Sequence, residues 1–212
     1  MRYSVRAYKS QPVAEETLRC ILEYARFAAS SKNMQPWKVF AVSGDSLKNL
    51  SKDMIAAFRS GNFGPAPRDE RGDIPAEYWD RARQCGFGLF ELKSIAREDK
   101  EARQKHYEEN YHFFGAPLEL FFAIHKGMPQ RQLIDMGIFL ERVMHKAHEE
   151  GLSCCPQASV SDFPGTLQKH LPLEAGEEVL FGLSLGYEEE GALVNSYRTE
   201  RLGVDDFTTW LK

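Results

Sequence analysis

The sequence predicts an α+β fold, and three observations carry that prediction. Segments with apolar residues at helical spacing and strand-like runs do not alternate along the chain, as the βαβ units of a doubly wound sheet require. Two short continuous apolar runs, 120–124 and 179–183, read as buried strands and are far too short to span a bilayer. The 212 residues are 42% hydrophobic and 12% aromatic, enough for one core and one domain over 1–212.

In chain order, Leu18, Ile21, Leu22 and Ala25 stand at helical spacing after Pro12, so 15–29 is a helix. The run 38–43, with Val39 and Val42, is a strand. Asp45 is placed as the N-cap of a helix carrying Leu47, Leu50, Met54, Ile55 and Phe58 on one face. The Gly-, Pro- and charge-rich stretch 60–75 is a long surface loop. An aromatic-bearing helix follows at 76–95. The charged segment 98–111 is an exposed helix or part of a lid.

A buried strand at 117–125 precedes a long helix, 133–150, with Ile134, Ile138, Val143 and Met144 as apolar members and Gly151 as its stop. A short strand and turn spans 152–158. A helix at 161–170 comes before Pro172, and a second buried strand fills 178–187. The residues 188–199 are too polar and irregular for a core element and read as an extended arm. A short helix, 204–211, closes the chain.

Net charge is −4 and no Lys/Arg run exists, so nothing here attracts nucleic acid. No secretory pattern opens the chain, which places it in the cytoplasm. Cys20, Cys85, Cys154 and Cys155 form no disulfide framework and no metal-binding spacing. His145 and His148 lie three apart on a helix, without further ligands nearby, and no metal site is expected. Gly86-Phe87-Gly88 lacks the third glycine and the preceding strand of a dinucleotide loop.

The stretch Ala28-Ala29-Ser30-Ser31-Lys32-Asn33-Met34-Gln35-Pro36-Trp37 stands where a helix hands the chain to a sheet. Pro36 biases Gln35 towards extended geometry, which leaves Ser30, Ser31 and Asn33 in a loop. Near the start, Arg2, Ser4 and Arg6 alternate with Tyr3 and Val5 and so share one face of an extended segment. Two guanidiniums and a hydroxyl there make a phosphate clamp. A solvated basic terminus, or an ordinary ion pair, is the plainer reading of the same residues.

With Arg198-Thr199-Glu200-Arg201 near the finish, these motifs resemble the nitroreductase family of FMN-dependent, NAD(P)H-using flavoproteins. The middle of the chain is similar to its nitrobenzoate and dinitroaniline reductase branch, in Tyr78-Trp79-Asp80-Arg81-Ala82-Arg83, Phe113-Phe114-Gly115-Ala116-Pro117 and Gly151-Leu152-Ser153-Cys154-Cys155-Pro156-Gln157. The resemblance implies a three-layer sandwich, a mostly antiparallel central sheet flanked by helices, with the C-terminal arm exchanged between subunits of a homodimer. It assigns Arg2, Ser4 and Arg201 to the FMN phosphate and ribityl end, and Arg6 to the N1–C2=O edge of the flavin. Ser30, Ser31 and Asn33, supported by Gln35, would reach the flavin held mainly by the other subunit. Pro156, Gln157 and Ala158 fall where backbone amides face flavin N5.

The implied activity is ping-pong hydride transfer from NADH or NADPH to a nitroaromatic or quinone acceptor, with no side chain assigned as a general acid or base. Arg83, Phe113 and Phe114 are weaker candidates at the cavity. The competing readings are a relative that dehalogenates or oxidises azolines, a flavin store or sensor without turnover, and an α+β binding module without cofactor.

Overall fold

Four strands form one antiparallel sheet in the order β1-β2-β4-β3. They are β1 (Lys38–Ser43), β2 (Leu118–His125), β3 (Ser153–Gln157) and β4 (Glu177–Gly186) in the computed structural model, which describes residues 2–64 and 73–211. Both faces of the sheet are covered, which explains why β2 and the core of β4 read as continuous apolar runs rather than alternating ones. Leu118, Leu120, Phe122 and Ile124 face α1 (Glu15–Ala25) and α5 (Gln132–Glu149) in one apolar cluster with Leu183 and Leu185. Phe121, Ala123 and Val179 face α2 (Gly44–Arg59) and α6 (Pro164–His170) in a second. The result is helix, sheet, helix: the expected three layers. The helices α3 (Ala76–Leu92), α4 (Lys100–Glu108) and α7 (Val204–Phe207) lie outside this sandwich's two main clusters.

Several expectations shift for physical reasons. The first helix ends at Ala25, not 29, because the Ala28 N–H turns back to Ala25 O in a tight i−3 bond. Asp45 is not an N-cap. Ser43 holds that position without a side-chain bond, and the Asp45 carboxylate in the first turn takes Lys48 instead. The segment 161–170 is broken: a 3-10 turn at Ser159–Asp162 precedes α6, because Phe163 before Pro164 is steered away from helical geometry. The last helix is a single turn, Val204–Phe207, stopped by extended Thr208. Half of the expected loop 60–75, residues 65–72, lies outside the described residues. Gly151 does stop α5, with φ at 77°.

The extended arm read at 188–199, too polar and irregular for a core element, contains a 3-10 turn at Leu193–Ser196 and one interior residue, Asn195, at 3% exposure. The arm lies along the N-terminal segment of its own chain. Tyr8 and Glu188 form an antiparallel bridge, and backbone bonds run from Lys9 N to Tyr187 O (2.8 Å) and from Glu189 N to Ala7 O (3.0 Å). No described helix is long and apolar enough to cross a membrane.

Candidate functional site

The N-terminal segment runs along the outer edge of β3. Ser4 bridges Cys154 in parallel, and Val5 N donates to Cys154 O at 3.2 Å. This register lays Arg2, Ser4 and Arg6 against Cys154 and Cys155, with Val5 turned into a small cluster with Tyr8 and Ala116. Arg2 and Arg6 have no acidic partner among the described residues, so the ion-pair reading of these groups does not hold there. Arg2 Nη1 is buried and has no hydrogen-bond partner among the described residues, although the Arg2 guanidinium lies close enough to the Cys154 thiol to act on it. A buried guanidinium nitrogen without a partner is costly unless an anion completes it. Burial pushes the Cys154 thiol up to about 12 and the Cys155 thiol to about 11, with Arg2 and Arg6 pulling the other way. Both cysteines are inert packing.

Arg6 donates weakly to Ser4 O at 3.4 Å. Its positive charge is felt by Tyr8, Cys155, His106 and Tyr197. It therefore faces a space bounded by the end of β3, helix α4 and the arm. His106 is held below the usual imidazole range, first by burial and then by Lys93.

The arm fixes this segment through groups that the motifs do not show. Asn195 Oδ1 accepts from Arg6 N at 2.8 Å, while its Nδ2 donates to Ala7 O at 2.8 Å and Glu189 O at 3.0 Å. The Tyr3 hydroxyl bonds Glu188 (2.6 Å), which raises its pKa, and the Arg198 guanidinium lies 3.3 Å from the Tyr3 ring centroid. Tyr197 hydroxyl reaches Cys85 O at 3.0 Å, where Gly88 makes room: a Cβ there would sit 2.3 Å from the hydroxyl. Within Gly86-Phe87-Gly88, Gly88 thus serves packing of the arm on α3. Sequence offered no signal for Asn195, a polar residue in a polar stretch.

At the end of β3, Pro156 and Ala158 are exposed while the Gln157 side chain is buried at 3%. The turn bearing the proposed amides therefore faces outward, beside Arg6. Phe113 is core and stacks edge-on with Phe121, whereas Phe114 joins the Tyr3–Val5–Tyr8 cluster. Phe113, Phe114 and Gly115 all have positive φ. Arg83 pairs with Asp80 on the surface of α3.

The loop Ser30 to Trp37 is built under strain. Lys32, Asn33 and Gln35 all have positive φ (54°, 55° and 48°), so Gln35 is left-handed rather than extended as Pro36 suggested. Three contacts hold it: Gln35 N to Ser30 Oγ (3.1 Å), Gln35 Nε2 to Asn33 O (3.3 Å) and Ser31 N to Asp135 Oδ2 (3.1 Å). Trp37 anchors the loop by stacking on Phe139 at 4.6 Å. Ser31, Asn33 and Gln35 are exposed.

One chain does not bring all the candidates together. The loop enters β1 and the N-terminal segment flanks β3, and these are opposite edges of the sheet. Four strand spacings, from β1 across β2, β4 and β3 to the segment beyond it, separate them by about 19 Å. Arg201 is exposed and bonds only its own segment, at Thr199 and Glu200. Beyond it, Phe207, Trp210 and Leu211 are 66%, 67% and 92% exposed. Among the described residues no group of His, Cys, Asp and Glu is placed to hold a metal ion.

A family model described as the nitroreductase family matches residues 1–187. A 4-nitrobenzoate reductase of Pseudomonas putida is 32% identical over 210 residues, covering 99% of this chain and 92% of its own. Nitroreductase NfnB of Mycolicibacterium smegmatis is 30% identical over 98% of this chain and 88% of its own. A crystal structure of FMN-dependent NfnB from Mycobacterium smegmatis in complex with NADPH superposes with TM-score 0.95, at 30% identity, covering 100% and 95% of the two chains. An FMN- and NADPH-dependent NfnB from a Sphingopyxis strain does so at 0.94 and 32%, covering 100% and 96%.

Proposed function

The chain belongs to the nitroreductase family, and from that premise we propose that it is an FMN-dependent oxidoreductase passing hydride from NADPH or NADH to nitroaromatic or quinone acceptors. The observation that carries the cofactor is Arg2 Nη1, a buried cationic nitrogen with no hydrogen-bond partner among the described residues. A phosphate dianion would complete it, with Ser4 supplying a hydroxyl beside it and Arg201 a second guanidinium from the arm.

When bound, FMN supplies the redox chemistry, taking hydride at N5 and giving it up to the acceptor. The residues supply position and field. Arg6, without an acidic partner, favours negative charge at the N1–C2=O edge of a flavin laid beside β3. The outward turn that follows Pro156, which has no N–H of its own, would present the backbone amides of Gln157 and Ala158 on the N5 side. Reductant and acceptor use the same space in turn, so no side chain needs to act as acid or base.

The separation of Ser30, Ser31, Asn33 and Gln35 from Arg2 supports a homodimer in which each pocket draws its loop from the second copy. The exposed apolar arm supports the same assembly. A groove of about 960 Å³ beside the free edge of β1, lined by Leu18, Leu22, Ala41, Leu47, Phe113 and Leu118, suits the arm of a second copy. Ile134 and Ile138, apolar at helical spacing yet 67% and 39% exposed on α5, extend the surface such a copy would cover. We take the chain to act as one domain over 1–212, in the cytoplasm.

The test is a visible spectrum of the purified protein, followed by NADPH and NADH oxidation with 4-nitrobenzoate and a quinone. A yellow protein that turns over supports the reading. Arg201→Ala should lower FMN retention. A colourless protein that takes up no FMN on titration overturns it.

A further inference from the structure

One acidic side chain lies in the apolar layer between the sheet and helices α2 and α6. Glu119 on β2 is fully buried, two residues before Phe121 on the same face. Its cross-strand partner is Ser184 of β4, which in turn opposes Cys155 of β3, with Gln157 two residues further along that face. Gly182 keeps the place open: a Cβ there would meet Glu119 Oε1 at 2.3 Å. The site is shaped for this carboxyl.

Its hydrogens can be assigned by counting. Ser184 Oγ lies 2.7 Å from Glu119 Oε2 and 2.7 Å from Gln157 Oε1. Gln157 Nε2 points at Asn110 O (2.8 Å) and Asn110 Oδ1 (3.4 Å), and Asn110 Nδ2 is committed to Tyr107 O (3.0 Å). Turning the Gln157 amide over would set its carbonyl against two oxygens. Gln157 Oε1 is therefore an acceptor without a hydrogen. Ser184 has one hydrogen for two close oxygens, and both contacts are hydrogen bonds only if it goes to Gln157. The contact with Glu119 is then a hydrogen bond only if Glu119 brings the proton. No described cation bonds this carboxyl, and beyond Ser184 it is met only by the Leu183 backbone N–H, too little to make a bare charge cheaper than a neutral acid in this apolar layer.

We infer that Glu119 is a neutral, proton-bearing positioning residue. It donates to Ser184, Ser184 donates to Gln157, and Gln157 donates to Asn110, which locks the Gln157–Ala158 turn against the segment that follows α4. This rests on the reading that the turn's amides face the flavin. Burial acts in the same sense, pushing the carboxyl well above its usual range and outweighing the opposite pull of the Ser184 hydroxyl and the Leu183 backbone N–H. The arrangement holds the turn without placing a fixed anion beside a group that must accept electrons, so the field of Arg6 is not cancelled.

The test combines infrared difference spectroscopy with flavin binding. Wild type minus Glu119→Gln, recorded on cofactor-free protein, should show the carbonyl stretch of a protonated carboxylic acid. Glu119→Gln, whose amide N–H replaces the acid O–H, should keep the wild-type FMN affinity and midpoint potential. Glu119→Leu and Ser184→Ala should each weaken FMN binding about tenfold and shift the potential. Should Glu119→Leu fail to fold, Ser184→Ala, which removes one hydroxyl, carries the comparison. A carboxylate signature in the wild type overturns the protonation. Glu119→Gln behaving like Ser184→Ala, or Ser184→Ala leaving both readouts unmoved, overturns the positioning role. Because the infrared band is read without cofactor, a failure of the flavin reading is seen separately, as wild-type protein that shows the band and takes up no FMN.

Discussion

Asn195 Oδ1 accepts the backbone N–H of Arg6 at 2.8 Å, across 189 residues of sequence. The amide's other end donates to Ala7 and Glu189, so one buried side chain fastens the start of the chain to its arm. Asn195→Ala removes three hydrogen bonds and should lower stability by about 2–4 kcal/mol. Asn195→Asp keeps the acceptor for Arg6 but turns an oxygen against two carbonyls, and should be at least as damaging. Urea unfolding midpoints of the two variants check both statements, and a midpoint unchanged in Asn195→Ala would remove this fastening from the account.

Gly86 and Gly88 stand on one helix and should respond in opposite directions. Gly86 has nothing within 4 Å of an added Cβ, and Gly86→Ala should stabilise α3 by about 0.5–1 kcal/mol. Gly88→Ala drives its methyl into Tyr197 and should cost about 1–3 kcal/mol. Thermal unfolding of the pair, with opposite shifts in Tm, is the expected result.

Asp135 holds the strained loop by accepting Ser31 N–H. Asp135→Ala should let Lys32, Asn33 and Gln35 relax from positive φ and weaken FMN binding about tenfold. Asp135→Asn retains an acceptor oxygen and should lose less. Fluorescence titration with FMN ranks the three proteins, and equal affinities would separate this loop from the cofactor.

Glu108, 7% exposed, takes a two-pronged bond from Arg59 at 2.7 Å, which holds its carboxyl below the usual carboxylate range. A carboxylate depressed in the folded state contributes stability above its unfolded value and loses it as pH falls through the folded one. Arg59→Met should therefore lower the urea midpoint at neutral pH. The gap to wild type should close as pH drops below about 4. A gap that persists in acid would mean Arg59 acts through packing alone.

The layers of this fold were legible in the sequence because both sheet faces are covered and the helices are one-sided. Leu120–Ile124 and Val179–Leu183 could hardly be anything but interior strands once their length is weighed. The cationic segment Arg2–Ser4–Arg6 was legible because alternation fixes a shared face. What escaped is where a polar residue does interior work. Asn195 follows the short apolar run Ala192-Leu193-Val194 in a segment that otherwise carries three glutamates, and Glu119 interrupts an apolar run without altering its period. Gln35 escaped for a different reason: a local rule about proline was overridden by Ser30, Asn33 and the Trp37–Phe139 stack. Pro164 could have divided 161–170 from the outset, since the residue before a proline is steered away from helical geometry.

The opposite placement of the loop and the N-terminal segment has a genetic corollary. On the proposed assembly, a chain damaged at Arg2 and a chain damaged at Asn33 carry lesions that fall into the same pocket on one side of a mixed pair and leave the other pocket whole. Two inactive alleles, coexpressed, would then restore roughly a quarter of the wild-type sites under random pairing, whereas two lesions at Arg2 and Ser4 would never complement one another.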